Sequence, residues 1–320
     1  MVMKKISEIK KGDKVEGFFV IKSVDIKVTN NSNTNKYLDF NLGDATGDIN
    51  AKLWECTEEL ENKFKQSSLV KIKGTVNEWR GKLQLKIEII RLTEESDEVK
   101  ICDYVAVAPY SPEVMYDDIL NYLSKIINTD IQNIVTNILS DNEVKLMHYP
   151  AAKSNHHSIR SGLLYHTTTM LKAGEKLSEI YTFLNTDLLY AGIILHDIAK
   201  IYEMDASELG IVSEYTVEGQ LLGHIVQGVK MIETASIEVK ADKEVTMLLE
   251  HMVLAHHYEA EYGSPKKPMI PEAEMLHHLD IMDARMYDMN KALLDTEKGK
   301  FSERIWSLEN ISVYKSFVNK

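Results

Sequence analysis

The sequence predicts a protein in two parts, a five-stranded β barrel followed by an all-helical bundle, and three observations carry that expectation. Apolar and polar residues alternate with period two from about Lys14 to Leu92. From Pro112 onward apolar residues recur instead at i, i+3 and i+4, as in Ile119-Tyr122-Leu123-Ile126 and Leu188-Leu189-Ile193-Ile194. The charge divides at the same place. The chain carries a net −12 over 320 residues, yet residues 1–95 hold 17 Lys+Arg against 15 Asp+Glu, so the acidic excess belongs to the helical part. The expected boundaries are 1–95 for the barrel, 96–111 for a connector and 112–320 for the bundle.

The barrel elements follow in order. A first strand ends in Gly17-Phe18-Phe19-Val20, and a long polar loop runs from Thr29 to Lys36. Leu38, Phe40 and Leu42 alternate with Tyr37, Asp39 and Asn41 before the turn Gly43-Asp44-Ala45-Thr46-Gly47-Asp48. Ile49, Ala51 and Leu53 alternate with Asn50, Lys52 and Trp54, and a short helix is expected near 56–66. Val70, Ile72 and Val76 alternate with Lys71, Lys73 and Thr75. After the hairpin Asn77-Glu78-Trp79-Arg80-Gly81, Leu83, Leu85, Ile87 and Ile89 alternate with Lys82, Gln84, Lys86 and Glu88. One barrel face is then core, and the other carries Lys52, Trp54, Lys71, Lys73, Lys82 and Lys86. The pattern resembles an OB fold of the anticodon-binding type, whose members stack bases of single-stranded nucleic acid on aromatic rings and follow the backbone with lysines. That resemblance implies nucleic-acid contacts at Tyr37, Lys52, Trp54, Lys71, Lys73, Trp79, Lys82 and Lys86. The rings could equally cap the barrel while the lysines form a solvated face.

The composition excludes several classes. No apolar run approaches the ~18 residues of a membrane helix, and the first residues turn polar at once, unlike a signal peptide. Cys56 and Cys102 stand far apart without a CxxC, which suggests reduced, buried thiols in a cytosol.

The helical half opens with Ser111-Pro112, a cap followed by a first-turn proline, and the helical pattern runs to the end of the chain. Its most informative residues are His196-Asp197, on an apolar helix expected from about Thr186 to Ile201. Lys200 lies one turn on, so all three can face one pocket. Charged groups on so apolar a helix are costly without partners. His166 precedes the pair with 29 residues between and His224 follows it with 26 between; His251, His256, His257 and Asp280 come later. Imidazoles and carboxylates drawn from several helices are a recipe for metal-assisted phosphate-ester hydrolysis. Such mixed ligands suit Mn²⁺, Fe²⁺, Co²⁺ or Ni²⁺ better than Mg²⁺ alone.

The ordered series H…HD…H…H…D resembles the HD metal-dependent phosphohydrolase superfamily, and Lys200 matches its HDxxK variant. An OB module ahead of such a domain resembles the YhaM family of bacterial 3′–5′ exoribonucleases. Pro150-Ala151-Ala152-Lys153-x-x-His156-His157, Gly162-Leu163-Leu164-x-His166-Thr167 and Leu279-Asp280-x-x-Asp283-Ala284 carry this likeness. It implies two divalent ions, Mn²⁺ first among them, held by His166, His196, Asp197, His224, His256 and Asp280, with Asp197 bridging. His251 and His257 are either ligands or neighbours of ligands. Asp197 and Lys200 are the expected catalytic residues. His156 and His157 are expected at the rim, His157 against nucleic acid. His277 and His278 are structural or solvated, and Asp283 either backs the ligands or pairs with Arg285 or a nearby Lys. The implied activity is 3′–5′ hydrolysis of single-stranded RNA, and secondarily DNA, to nucleoside 5′-monophosphates in the cytoplasm. No membrane is involved, and homo-oligomerisation is left open. Two other readings stay open: a phosphohydrolase for free or cyclic nucleotides, and a non-catalytic single-strand-binding protein with a structural metal site.

Overall fold

The computed structural model describes residues 4–28, 36–44, 46–54, 57–97, 99–154 and 156–318. The chain divides into two compact units, one ending at Val107 and the other beginning at Ala108, inside the stretch expected as a connector.

The first unit is a closed barrel of five strands in the order β1-β2-β3-β5-β4. β1 is Lys14–Val28, β2 Lys36–Asp44, β3 Gly47–Trp54, β4 Leu69–Trp79 and β5 Lys82–Leu92, with helix α1 (Glu58–Lys63) between β3 and β4. β1 runs well past Val20, because its second half pairs with β2 from Ile21↔Leu42 to Val28↔Lys36. The turn into β3 is an Asx turn: Thr46 and Gly47 N–H both donate to Asp44 Oδ1. Thr57 caps α1 by accepting from Leu60 N–H. Phe64, just after the helix, then plugs the barrel edge-on to Phe40. Val15, Phe19, Leu38, Phe40, Ile72 and Leu85 fill the interior, as their alternation requires.

The alternation fails at two places in β5, and a bulge accounts for the second, Ile89. Ile89, expected inside, is 58% exposed, and Leu83 is also exposed. The β4–β5 register shifts between Lys73 and Gly74, so Ile89 faces Lys73 while Ile87 faces Gly74. This bulge adds one residue to β5 and turns Ile90, not Ile89, against the core.

The second unit is a bundle of α2 (Pro112–Lys125), α3 (Thr129–Leu146), α4 (Gly162–Ser178), α5 (Thr186–Leu195), α6 (Lys200–Glu203), α7 (Val217–Val239), α8 (Lys243–Ala255) and α9 (Pro271–Leu294). Ser111 caps α2 through Val114 N–H. A two-stranded hairpin, β6 (Met204–Ala206) with β7 (Val212–Tyr215), was not legible in the helical periodicity. α5 is apolar all round, and eight of its ten residues are buried. It is therefore the central helix, packed by α2, α3, α4, α8 and α9. The helical pattern does not reach the end of the chain. After α9, residues 295–318 form a strap with the bridges Phe301↔Tyr314 and Ile305↔Ile311. Cys102 is exposed rather than buried, and Cys56 lies outside the described residues. Among the described residues no helix is long and apolar enough to cross a membrane.

Candidate active site

The central helix stops earlier than its apolar run. α5 ends at Leu195, and His196 is its C-cap. From there the backbone tightens to i→i−3 hydrogen bonds: Ile198 N–H to Leu195, Lys200 N–H to Asp197, Ile201 N–H to Ile198. Adjacent residues on a regular α-helix point about 100° apart. This irregular turn lets His196 and Asp197 meet on one site, while Lys200 reaches it from α6.

The other members arrive from separate elements. α4 supplies His166, and Gly162 opens that helix where any Cβ would overlap the His157 carbonyl oxygen. α7 supplies His224 immediately after Gly223, whose φ of 67° and ψ of 168° break the helix in a region open essentially to glycine alone. His256 caps the C-terminus of α8, and α9 supplies Asp280.

One rule orders all five imidazoles. Each commits Nδ1 to an acceptor: His196 to Ile193 O, His256 to Val253 O, His257 to Tyr262 O, His166 to Asp283 and His224 to Glu203. In the neutral ring, donation from Nδ1–H fixes the tautomer that leaves Nε2 bare. The Nε2 atoms of His166, His196, His224 and His256, together with Asp197 Oδ1, are buried without a hydrogen-bond partner. A buried polar atom left unpaired is costly. Convergence of five such atoms fits a divalent metal ion, which takes bare imidazole nitrogen and carboxylate oxygen.

Asp197 divides the cluster. Its Oδ2 lies 3.4 Å from His196 Nε2 and 3.9 Å from His166 Nε2. Its Oδ1 lies 3.4 Å from His224 Nε2 and 3.7 Å from His256 Nε2. Ligand atoms of Asp197, His224, His256 and His257 fall within 4.8 Å of one another, and so do those of His166, His196 and Asp197. Asp280 Oδ1 joins the second set, 3.3 Å from His166 Nε2.

The electrostatics suit cation binding. Burial opposes charge on Asp197, but Lys200 and His196 hold its carboxyl well below the usual carboxylate range. Lys200 Nζ donates to Asp197 Oδ2 at 2.6 Å. Burial opposes its ammonium too, and Asp197 keeps it charged. Burial, with His257 and His196 beside it, keeps His256 neutral. Burial works against a proton on His166, yet Asp280 and Asp283 outweigh it and push the imidazole up to about 10. A ligand imidazole must lose that proton. Below pH ~10, metal uptake should therefore expel a proton, and apparent affinity should rise with pH. Calorimetry in buffers of different ionisation enthalpy measures the release; proton-neutral binding at pH 7 would contradict this picture of His166.

On the barrel, Tyr37 and Trp54 are cross-strand partners whose rings sit 4.7 Å apart between centroids. Lys52 Nζ lies over both, 4.7 Å from the Tyr37 ring and 5.7 Å from that of Trp54. Lys86 is registered beside Lys52 on the parallel strand β5. A polar ladder, Gln84 to Asn50 to Asp39, fixes the same face. Trp79 and Lys82 are exposed at the β4–β5 hairpin, with Arg80 over the Trp79 ring. Lys73 is half-buried on the outer side of β4. Lys71 is occupied differently, against Asp97 and Glu16 and over Phe18.

Residues 163–285 match the HD domain family, and residues 23–93 match the OB-fold nucleic acid binding domain family. A solved domain, the second OB-fold domain of replication protein A from Methanococcus maripaludis, is 19% identical, with a TM-score of 0.25; the alignment covers 29% of this chain and 96% of that one. The 3′–5′ exoribonuclease YhaM of Halalkalibacterium halodurans is 44% identical over 304 residues, 95% of this chain and 93% of that one. The protein of the same name from Geobacillus sp. (strain WCH70) is 43% identical over 304 residues, 95% of this chain and 92% of that one. The chain belongs to the YhaM family of 3′–5′ exoribonucleases.

In this YhaM-family chain the structure brings His166, His196, Asp197, His224, His256, His257 and Asp280 together, with Lys200 beside them. It leaves His251 out: that imidazole accepts from Met269 N–H and joins neither ligand group. His157, expected at the rim against nucleic acid, is only 1% exposed. It sits in a left-handed turn, φ 51°, and contacts Asp283 Oδ2 through Nε2 at 2.7 Å. The same oxygen holds His166 Nδ1 at 2.7 Å, so Asp283 clamps that imidazole from behind instead of pairing with Arg285. His156 does line the pocket, where burial and Lys200 push it down to about 4, so it is neutral at pH 7. His277 holds the His256 carbonyl, and His278 is exposed beside Glu274. Sequence reasoning missed Glu203. Its Oε1 accepts from both the backbone N–H and the Nδ1–H of His224, 21 residues away, a pairing no local spacing announces.

Lys200 gives a clean test. Lys200→Ala should retain metal and lower kcat roughly 10²–10³-fold, the loss typical of one preorganised transition-state donor. Single-turnover cleavage alongside elemental analysis reads both. Full turnover with full metal would reduce Lys200 to the counter-charge of Asp197.

Proposed function

We propose that the chain is a metal-dependent 3′–5′ exoribonuclease that hydrolyses single-stranded RNA, and more weakly single-stranded DNA, to nucleoside 5′-monophosphates in the cytoplasm. The observation that carries this reading is Asp197, whose two oxygens face two different sets of bare imidazoles. His166, His196 and Asp280 would hold one divalent ion and His224, His256 and His257 a second, with Asp197 between them; Mn²⁺ suits these donors best. Bound there, the ions would supply Lewis-acid activation of water and neutralise charge on the scissile phosphate.

The chain's own residues do the rest. Glu203 and Asp283 aim His224 and His166, so the ligand shell is rigid before substrate arrives. Lys200, kept charged by Asp197, presents an ammonium where the phosphate's non-bridging oxygens gather charge. The Tyr37–Trp54–Lys52 face of the barrel takes bases on its rings and phosphates on its lysines, which favours a polymer over a free nucleotide. Incubating the Mn²⁺-loaded chain with 5′-labelled and 3′-labelled single-stranded RNA tests the proposal. A ladder shortening from the 3′ end, with labelled 5′-monophosphate released, is expected; internal cuts or intact RNA would refute it.

A further inference from the structure

The pocket in front of the cluster has a volume of about 1130 Å³, above the ~300–1,000 Å³ of ordinary small-ligand sites. His224, His256, Lys200 and Asp280 line it. So does Trp306, on the strap that follows α9, and its side chain is 76% exposed. The strap is firmly held at this point. Leu308 is fully buried, Ser307 Oγ donates to Asp288, and Arg285 donates to Glu309 Oε1 at 2.7 Å. The backbone that carries this large ring is thus held in place and the ring is left uncovered, where burial elsewhere would have been favourable.

The pocket's charge says what that ring is for. Glu203, Glu259, Asp280, Asp288 and Glu309 line it against Lys200 and Arg285, and Arg285 is already paired with Glu309. Asp280 and Glu203 serve the ligand cluster, and Arg285 and Lys267 are paired with Glu309 and Glu259, so among the described lining residues no unpaired cation away from that cluster is offered to a strand's backbone. Ring faces bind bases without regard to this charge. Tyr258 and Tyr262 share the pocket wall, which makes it aromatic as well as acidic.

We propose that Trp306 is a stacking platform for a nucleobase at the 3′ end of the strand, seating the terminal phosphodiester against the Asp197 cluster. This rests on the exoribonuclease reading above and names the subsite it leaves unassigned. Trp306 is a positioning residue that acts through the base and discriminates little between bases.

The test uses the full, metal-loaded chain. Stacking of about 1–3 kcal/mol per base corresponds to roughly 5–150-fold in binding. Trp306→Ala should therefore raise KM for single-stranded RNA about tenfold or more with kcat nearly unchanged, and Trp306→Phe should restore most of the loss. RNA with abasic sites in place of its 3′-terminal bases should raise KM for the wild-type chain and add nothing further in Trp306→Ala. With Trp54→Phe and Trp79→Phe, Trp306 is the last of the three tryptophans. Its fluorescence should then be quenched by phosphorothioate-protected RNA. Wild-type KM in Trp306→Ala, or an equal abasic penalty in both chains, would overturn the subsite while leaving the exoribonuclease reading intact. Quenching by the protected RNA, with unprotected RNA of the same sequence left intact by the wild-type chain, would support the subsite and overturn the activity.

Discussion

Replacing Asp197 by asparagine is expected to stop phosphodiester hydrolysis and to release at least one divalent ion from the chain. Both carboxylate oxygens face imidazoles, one toward His166 and His196, the other toward His224 and His256. An amide keeps one acceptor oxygen, but it is uncharged and its N–H₂, although able to donate to a bare imidazole nitrogen, offers no lone pair to a metal ion. Among the described residues no other carboxylate is placed to span both groups: Asp280 reaches His166, and Asp283 is engaged with His157 and His166. The substitution also strips Lys200 of its counter-charge in a buried site. Breaking a buried pair by removing one partner costs about 3–5 kcal/mol. Metal-free Asp197→Asn should thus unfold at lower denaturant than the metal-free parent. Elemental analysis, single-turnover cleavage and denaturant unfolding read the three effects; an active variant with full metal content would refute the bridging role.

The second large effect is expected on the barrel. Tyr37→Ala combined with Trp54→Ala should weaken binding of single-stranded RNA by about 10²-fold or more, from ~1–3 kcal/mol per lost stacked base. Lys52 loses its seat over the two rings at the same time, so the salt dependence of binding should flatten as well. The loss should appear in KM, because these residues belong to the barrel unit and the ligands to the helical one. Fluorescence anisotropy with labelled RNA across a salt series measures it. Unchanged affinity would mean that the rings merely cover each other across β2 and β3.

How far these residues could be read beforehand depended on how local their cause is. Leu38, Phe40 and Leu42 declared a strand because alternation is a property of consecutive residues, and the Asp44 turn is written in four neighbours. Ile89 was misjudged because the bulge is set by pairing with β4. The His/Asp series was legible as an ordered set of ligand types, since few other chemistries need it. Its geometry was not: the helix ends at Leu195, and only the tightened turn after it lets adjacent residues share a site. His157 looked like a rim residue because nothing near it in sequence hides it. It is buried by Asp283, 126 residues away, and by a left-handed backbone. Glu203 and Trp306 carry no motif at all, and their roles follow only from what the fold places beside them.

The most direct measurement is electron paramagnetic resonance on the Mn²⁺-titrated chain, read with the metal content. Two ions per chain and the spectrum of a spin-coupled pair, lost in Asp197→Asn, are predicted. A single uncoupled ion per chain at full activity would contradict an aspartate that joins two metal sites.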